Sequence, residues 1–212
     1  MNIDQIRRTY DKRATTYDRT VGFGEKLLVG DLRRRFGGLL AGETLEVAVG
    51  SGLNLPSYTD AVTRAVGVDL SPGMLAEARR RADQLDLAIE LVEGDAQRLP
   101  FADASFDTAA VSLGLCTVPD PARALRELAR VCRPGGRIVL LEHVRSTVPP
   151  LVWLQVLLSP AQERLIGCHL ARSTFDTARA LGFGVEEVGT RFAGVFRLAL
   201  LTPPVTDGPH GP

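Results

Sequence analysis

The chain has few lysines and no excess of charge of either sign. Among its 212 residues lysine occurs only twice, and 25 basic residues are balanced by 25 acidic ones, which gives a formal net charge of zero. Proteins that bind nucleic acid favour a basic face, because lysine and arginine neutralise the phosphates that they contact. The composition therefore predicts no nucleic-acid partner.

Cysteine is also scarce, and long apolar runs are missing. The three cysteines are widely separated and form no C-x-x-C pair, so we expect reduced thiols and no structural metal. No apolar run reaches the roughly 20 residues that a membrane span requires. The charged N-terminal sequence MNIDQIRRTYDKR is unlike a signal peptide. A cytoplasmic location follows as the prediction, whereas the oligomeric state stays open.

The phosphate-binding patterns G-x-G-x-x-G and G-K-[ST] are absent, but a different glycine turn is present. The stretch Thr44–Gly52 contains E-x-A-x-G-x-G at the end of an apolar run. Glycine lets a backbone pass close to a ligand. Asp69 ends the next apolar run, where a carboxylate can accept hydrogen bonds from both hydroxyls of a ribose. The two features predict a site for a nucleoside cofactor and argue against a dinucleotide.

Apolar, strand-like runs alternate with helical patterns along most of the chain. Strands are predicted over Thr44–Val49, Val66–Asp69, Leu87–Val92, Phe106–Ser112 and Gly136–Glu142. Helices are predicted over Asn2–Tyr17, Glu25–Phe36, Pro72–Gln84, Pro121–Cys132 and Ser173–Leu181. Alternation of this kind predicts a parallel sheet that is covered by helices on both faces.

Four segments, taken in order, resemble the class I S-adenosylmethionine (SAM)-dependent methyltransferases. They are LEVAVGSGLNLP, VGVDLSPGML, VEGDAQRLPFADASFD and LRELARVCRPGGRIVLLE, and the likeness runs from Tyr10 to Pro203. The resemblance implies SAM as the cofactor. It also implies an α/β, Rossmann-like fold with a seven-stranded, mostly parallel sheet that ends in an antiparallel pair, here Glu186–Phe192 and Val195–Thr202.

The same resemblance implies one methyltransferase domain, 1–203, followed by a disordered tail, 204–212. Residues 1–40 are expected to form a helical lid, because Tyr10 and Tyr17-Asp18 resemble the Y-x-x-x-A-x-x-Y-D segment of quinone-type and lipid-type methyltransferases. A surface helix with two half-buried tyrosines is the alternative interpretation. Residues 148–172 are expected to form an insertion on the acceptor side.

Matching the motifs residue by residue gives the cofactor site that the resemblance implies. Asp69 would accept the ribose hydroxyls, and Glu46 would favour the cationic amino-acid end of SAM. Asp95 would accept from the adenine amino group, while the Ala96 N–H would donate to a ring nitrogen. The other predicted cofactor contacts are Tyr17, Ala48, Gly50, Gly52, Asn54, Leu70, Met74, Ser112 and Leu113.

Five of these positions have a second interpretation or depart from the family. Met74 alone would more often be a core residue than a ligand contact, and Asp95 alone would usually be a turn residue. Glu46 could instead cap nearby backbone N–H groups, and Asp69 could be the N-cap of the helix that follows it. Ala48 stands where the family usually has a glycine. Because a methyl group is small, we expect SAM binding to survive this change.

The predictions about the methyl acceptor depend on one histidine and one apolar segment. Methyl transfer needs a base only if the acceptor must lose a proton, and His143 is the predicted catalytic residue, with a solvated or carbonyl-bonded histidine as the alternative. The segment Val148–Pro160 could line an apolar pocket, lie on a membrane surface or pack as ordinary core.

The stretch from LEHV (141–144) to LGF (181–183) is similar to a subgroup of membrane-associated methyltransferases that includes thiol methyltransferases. The first half of this stretch equally resembles phospholipid N-methyltransferases and quinone C-methyltransferases. We therefore expect a SAM-dependent methyltransferase for a small lipophilic substrate, with peripheral membrane contact. A phospholipid amine or a thiol is favoured as acceptor over a quinol carbon. A nicotinamide-dependent oxidoreductase and a non-catalytic SAM-binding protein are the alternatives from other classes.

Overall fold

The computed structural model describes residues 1–204, except for the side chains of residues 22–26. The described residues form one seven-stranded sheet in the order β3-β2-β1-β4-β5-β7-β6. The strands are β1 (Gly42–Val47), β2 (Val62–Asp69), β3 (Glu90–Glu93), β4 (Phe106–Ser112), β5 (Cys132–His143), β6 (Gly184–Arg191) and β7 (Phe196–Thr202). The first five strands are parallel, and β7 runs antiparallel to both β5 and β6. The predicted Rossmann-like fold class is confirmed.

Helices cover both faces of the sheet. They are α1 (Ile3–Val29), α2 (Leu32–Leu39), α3 (Pro72–Gln84), α4 (Pro121–Val131), α5 (Pro149–Ile166) and α6 (Thr174–Ala180). On one face, Leu125 of α4 and Phe175 of α6 belong to the same core as Leu140. On the other face, Phe36 of α2 shares a core with Leu141. Leu140 and Leu141 enter different cores because successive side chains of a strand point to opposite faces.

The N-terminal helices differ from the prediction. The helix α1 continues over 27 residues, whereas the sequence predicts that its first helix ends at Tyr17. The break falls at Gly30, whose φ of +59° places it in the left-handed conformation that often ends a helix. The second helix is consequently Leu32–Leu39 rather than Glu25–Phe36.

Smaller differences occur at the ends of every strand except β4, and two of them have a reason in the strand pairing. The strand predicted over Gly136–Glu142 already begins at Cys132, where it pairs with the start of β4 before an irregularity in register. The strand predicted over Leu87–Val92 is Glu90–Glu93, the part that pairs with β2.

Most of the predicted acceptor-side insertion forms α5, an 18-residue helix that includes Pro160. Within the described residues, no helix combines the length and the apolar character that crossing a membrane requires. The predicted disordered tail lies outside the described residues, apart from Pro204.

Candidate active site

A cleft opens at the carboxyl ends of the parallel strands, where ligands bind in sheets of this kind. It contains about 940 Å³ of space, its open mouth included. Its walls come from the ends of β1, β2 and β4, the turn after β3, and α1. The predicted cofactor residues in its lining are Tyr17, Ala48, Gly50, Asn54, Asp69, Leu70, Met74, Asp95, Ala96, Ser112 and Leu113. The structure thus brings most of the predicted cofactor residues together at one place.

Asp69 links the glycine turn after β1 to the start of α3. Its Oδ2 atom accepts a hydrogen bond from the Gly50 N–H at 2.8 Å, and its Oδ1 atom accepts one from the Ser71 N–H at 2.9 Å. The N-cap of α3 is Ser71, whose hydroxyl accepts a hydrogen bond from the Met74 N–H. Each carboxylate oxygen has a second lone pair, so Asp69 keeps the capacity to accept ribose hydroxyls.

Burial raises the pKa of Asp69 from its ordinary value of 3.8 to about 6, although the amide donors of Ser71 and Gly50 act in the opposite direction. Folding therefore favours the protonated carboxyl group. This contribution stabilises the ligand-free fold below about pH 4 and is lost as the pH rises to about 6. Asp69→Asn should remove this part of the pH dependence. Urea unfolding of both proteins across this range measures the effect.

Cofactor binding is expected to weaken as the pH falls, whereas the contribution of Asp69 to the stability of the ligand-free fold increases. Only the ionised carboxylate of Asp69 can accept two ribose hydroxyls without its own proton in the way. The affinity for S-adenosylhomocysteine (SAH) should decrease by up to about tenfold per pH unit below about pH 6. Calorimetry with SAH at several pH values measures this decrease. If Asp69→Asn shows the same decrease, another titrating group causes it.

Two non-glycine residues of the cleft have left-handed backbone conformations. The φ angles are +55° at Ala48 and +54° at Leu113, and such a conformation costs an L-residue about 1–2 kcal/mol. The Ala48 methyl group has room because Gly114 faces it: a Cβ added at Gly114 would lie 2.6 Å from the Ala48 Cβ. Gly114 thus accommodates the alanine that replaces the usual glycine.

Replacing Ala48 with glycine is expected to raise the free energy of unfolding by about 0.5–1 kcal/mol, because glycine adopts this conformation without strain. Denaturant unfolding measures the gain. Ala104 is a matched control, since it is exposed, has a φ of +50° and lies just before β4, at the opposite edge of the sheet. If Ala104→Gly stabilises the protein and Ala48→Gly does not, packing of the Ala48 methyl group outweighs its strain.

Glu46 lies beneath the cleft and is absent from its lining. Its side chain is buried, and its two oxygens accept hydrogen bonds from Asn54 Nδ2 and the Tyr58 hydroxyl, both at 2.5 Å. Burial raises the pKa of the Glu46 carboxyl group. Asn54 lines the cleft and accepts a hydrogen bond from Arg33. Glu46 therefore reaches the cleft through Asn54, and its predicted contact with the cationic end of SAM stays a prediction.

Gly52 is the other predicted cofactor contact outside the lining. A Cβ at this position would lie 2.8 Å from Leu55 Cδ1 and 3.3 Å from Ala78 Cα in α3. Its φ of +77° also favours glycine. Gly52 therefore lets the turn after β1 pack closely against α3.

The helix α1 lies along one side of the cleft and is hydrogen-bonded to two of the cleft's walls. Asp18 accepts a hydrogen bond from the Ser51 hydroxyl at 2.6 Å, and Asp11 accepts one from the Ser71 hydroxyl at 2.5 Å. Tyr17, on the same helix, lines the cleft. The position of α1 is compatible with the predicted lid. The role of Asp11 was missed because nothing local in the sequence indicates a contact sixty residues away.

His143 ends β5 and forms a cluster with two cysteines. Its Nε2 atom lies 3.1 Å from Cys168 Sγ, and the three ligand-type atoms of Cys116, His143 and Cys168 lie within 4.8 Å of one another. The neighbouring Cys116 thiol and the His143 ring lower the pKa of the Cys168 thiol to about 5, against the effect of its burial. His143 is absent from the cleft lining. Its predicted role as a general base stays a prediction.

Glu142 ties the loop after β4 to β5. Its Oε1 atom accepts hydrogen bonds from the backbone N–H groups of Gly114 and Leu115, both at 2.9 Å. Its Oε2 atom is buried and has no hydrogen-bond partner among the described residues. Burial raises the pKa of Glu142 to about 7. The sequence reasoning assigned no role to this carboxylate, although its place in the LEH stretch at the end of a strand was a signal.

The fold and the cleft together define an α/β protein with a nucleoside-cofactor site at the carboxyl edge of its sheet. A methyltransferase domain family matches residues 45–140. A phosphatidylethanolamine N-methyltransferase of Cereibacter sphaeroides is 37% identical over 173 residues, which are 80% of this chain and 82% of that protein. A demethylmenaquinone methyltransferase of Renibacterium salmoninarum is 36% identical over 154 residues, which are 69% of this chain and 62% of that protein.

Solved structures agree with this assignment at the level of the fold. A SAM-dependent methyltransferase of Thermotoga maritima has a TM-score of 0.65 at 22% identity, covering 92% of this chain and 98% of that one. The structure of DhpI in complex with SAH has a TM-score of 0.67 at 24% identity, covering 96% and 98%. This chain belongs to the methyltransferase domain family. It is a SAM-dependent methyltransferase, and SAM is its cofactor.

Proposed function

We propose that this methyltransferase transfers the methyl group of SAM to the amine of a phospholipid while α5 lies on the membrane surface. The apolar exterior of α5 is the observation that carries the proposal. SAM would occupy the cleft, with Asp69 at its ribose, Asp95 and Ala96 at its adenine, and the Gly50 turn beside its amino-acid end. The remaining predicted contacts in the lining would complete this pocket.

The exterior of α5 is unusually apolar for a surface helix. Among the described residues, ten large apolar side chains are exposed, and seven of them lie in or directly before α5. Trp153 is 77% exposed, Leu157 is 74% exposed and Leu165 is 63% exposed. The other four are Val148, Leu154, Val156 and Leu158. An apolar helix of this kind is typical of proteins that lie in a membrane interface, where tryptophan is also favoured.

The position of α5 places such a surface close to the cofactor cleft. The helix follows the carboxyl end of β5, at the same edge of the sheet as the cleft. At its far end, a Cβ added at Gly167 would lie 3.2 Å from Ile6, which lines the cleft. Arg145 precedes the helix, Arg164 lies in its last turn, and both are exposed, so they could contact lipid phosphates. An acceptor held at this membrane surface would reach the cleft from its mouth.

The chemistry of a phospholipid amine suits this arrangement. A neutral amine attacks the SAM methyl group in line and displaces SAH, so the enzyme mainly supplies alignment and the removal of a proton from the ammonium form. The relative from Cereibacter sphaeroides is named for methylation of a phospholipid amine. That relative matches this chain over a larger share of its own length than the quinone-methylating relative does. A quinol carbon and a thiol remain the competing acceptors.

Methyl transfer from labelled SAM to vesicles tests the acceptor. We expect label in the lipid fraction with vesicles that contain phosphatidylethanolamine, and none with free phosphoethanolamine, which lacks the membrane. Vesicles of phosphatidylcholine doped with a quinol or with an alkyl thiol form the other arms. Transfer to the quinol or the thiol, without transfer to the phospholipid amine, would contradict the proposal.

Replacing Leu157 with aspartate is expected to weaken vesicle binding by at least about tenfold, because a leucine side chain that leaves water contributes about 1.5–3 kcal/mol. Sedimentation with vesicles measures the binding, and Trp153 reports it independently through a blue shift of its fluorescence. Leu85→Asp is the matched control, since Leu85 is exposed but follows α3. Equal binding by both variants would remove α5 from the membrane contact.

A further inference from the structure

A second group of reactive side chains lies at the end of β5. This cluster consists of two cysteines and one histidine that come from three separate segments of the chain. Cys116 follows β4, His143 ends β5, and Cys168 follows α5. Both cysteines are buried free thiols, and His143 is partly buried. None of the three has a role in the cofactor cleft as described above. Their convergence therefore calls for a separate explanation.

The distances within the cluster suit a single metal ion. The three ligand-type atoms lie within 4.8 Å of one another, and His143 Nε2 lies 3.1 Å from Cys168 Sγ. Around tetrahedral zinc, with Zn–S near 2.3 Å and Zn–N near 2.0–2.1 Å, ligand atoms are separated by roughly 3.5–3.8 Å. Shifts of about 1 Å or less at the side-chain ends would satisfy this geometry.

The backbone around the cluster is fixed by hydrogen bonds that do not involve a metal. Glu142 holds the N–H groups of Gly114 and Leu115, and Arg172 donates to the Leu115 carbonyl at 2.8 Å. The His169 N–H donates to the carbonyl of Cys116 at 3.0 Å, which places the segment of Cys168 beside the segment of Cys116. The segments that carry the three side chains are thus held together before any ion binds.

We propose that Cys116, His143 and Cys168 bind one zinc ion, with an exogenous ligand in the fourth position. Two thiolates and one imidazole are a preferred zinc ligand set, and three protein ligands with one open position are typical of zinc sites that take a further ligand. The buried Glu142 Oε2 has no partner among the described residues, so a carboxylate oxygen one residue before His143 keeps its capacity to accept a hydrogen bond. The proposal does not depend on which acceptor the enzyme methylates.

Cys132 shows what a cysteine with a purely structural role looks like in this fold. It is also buried and reduced, but its sulfur lies 3.6 Å from the Arg137 carbonyl oxygen and it takes no part in the cluster. Cys132→Ser is therefore the matched control for substitution of a buried thiol. No sequence pattern indicates the cluster, because its members are separated by 27 and 25 positions.

Metal analysis of the full chain, purified under reducing conditions without a metal-binding tag, tests the proposal. We expect about one zinc ion per chain, and cobalt substitution should produce the absorption bands of tetrahedral cobalt with thiolate ligands. Cys116→Ser and Cys168→Ser should each weaken zinc binding by at least about 100-fold, whereas Cys132→Ser should leave it unchanged. Calorimetry with SAH confirms that each variant keeps its fold.

Three outcomes would overturn the proposal. The first is that the wild-type protein binds neither zinc nor cobalt, a result that can be obtained without any variant. Cys132→Ser could reduce zinc binding as much as Cys168→Ser does, which would point to a general effect on folding. Mass spectrometry could also find Cys116 and Cys168 joined as a disulfide in the freshly isolated protein, which would assign the pair to redox chemistry instead.

Discussion

Replacing Gly50 with valine is expected to abolish SAH binding, with at least about a 100-fold loss of affinity, while the sheet remains folded. Gly50 has a φ of +57°, and a Cβ added to it would meet only the Ala48 carbonyl oxygen, at 4.0 Å. The added side chain would therefore extend into the cleft rather than into protein. Valine would also strain the turn, since β-branched residues are poorly accommodated at positive φ. Calorimetry with SAH measures the loss.

Gly135 provides the control that separates strain from obstruction. Its φ is +78°, nothing lies within 4 Å of an added Cβ, and it is absent from the cleft lining. Gly135→Val should therefore lower stability by a similar amount and leave SAH affinity unchanged. If Gly50→Val binds SAH normally and is folded by circular dichroism, the glycine turn has only a structural role.

The parts of the fold that the sequence predicted well depend on local patterns. The glycine turn, Asp69 and the Ser71-Pro72 helix start lie within short segments whose chemistry does not require distant partners. The order of strands and helices gave the parallel sheet for the same reason. The family resemblance added the antiparallel pair of β6 and β7, which the strand pairing confirms.

The parts that the sequence predicted poorly depend on contacts between distant segments. The end of α1 is set at Gly30, where the chain turns to pack α2 on the sheet and where a Cβ would lie 2.7 Å from the side chain of Arg191, the last residue of β6. The cluster of Cys116, His143 and Cys168 exists only because the end of β5 meets two loops at one edge of the sheet. No spacing rule could have joined residues so far apart.

The position of Glu46 shows the same limit at a predicted site residue. The motif places a carboxylate at the end of β1, and the resemblance assigns it to the cationic end of SAM. In the structure both oxygens are occupied by side chains that lie eight and twelve residues further along, Asn54 and Tyr58. The sequence suggests backbone N–H groups as the alternative partners of Glu46, whereas the observed partners are side-chain donors.

Replacing Glu46 with alanine is expected to lower the free energy of unfolding by about 3–5 kcal/mol. The substitution leaves the buried donor Asn54 Nδ2 and the partly buried Tyr58 hydroxyl without an acceptor and also opens a cavity. In a chain of this length the midpoint of thermal unfolding should decrease by roughly 10–15 °C. Calorimetric unfolding measures this decrease. SAH affinity should also decrease, because Asn54 in the cleft lining loses its hydrogen-bond acceptor.

Glu46→Gln distinguishes a positioning role from a direct role at the cofactor. The amide keeps the shape of Glu46 and one acceptor oxygen, but it removes the negative charge. If Glu46 acts through Asn54, the variant should keep most of the stability and bind SAH within about threefold of the wild-type affinity, a change below 1 kcal/mol. If the carboxylate instead acts directly on the ammonium group of the amino-acid end, which SAM and SAH share, the affinities for both ligands should decrease by about tenfold or more, the usual effect of losing a charge-assisted hydrogen bond. We expect equal, small changes for both ligands, since the buried oxygens of Glu46 are already occupied by protein donors.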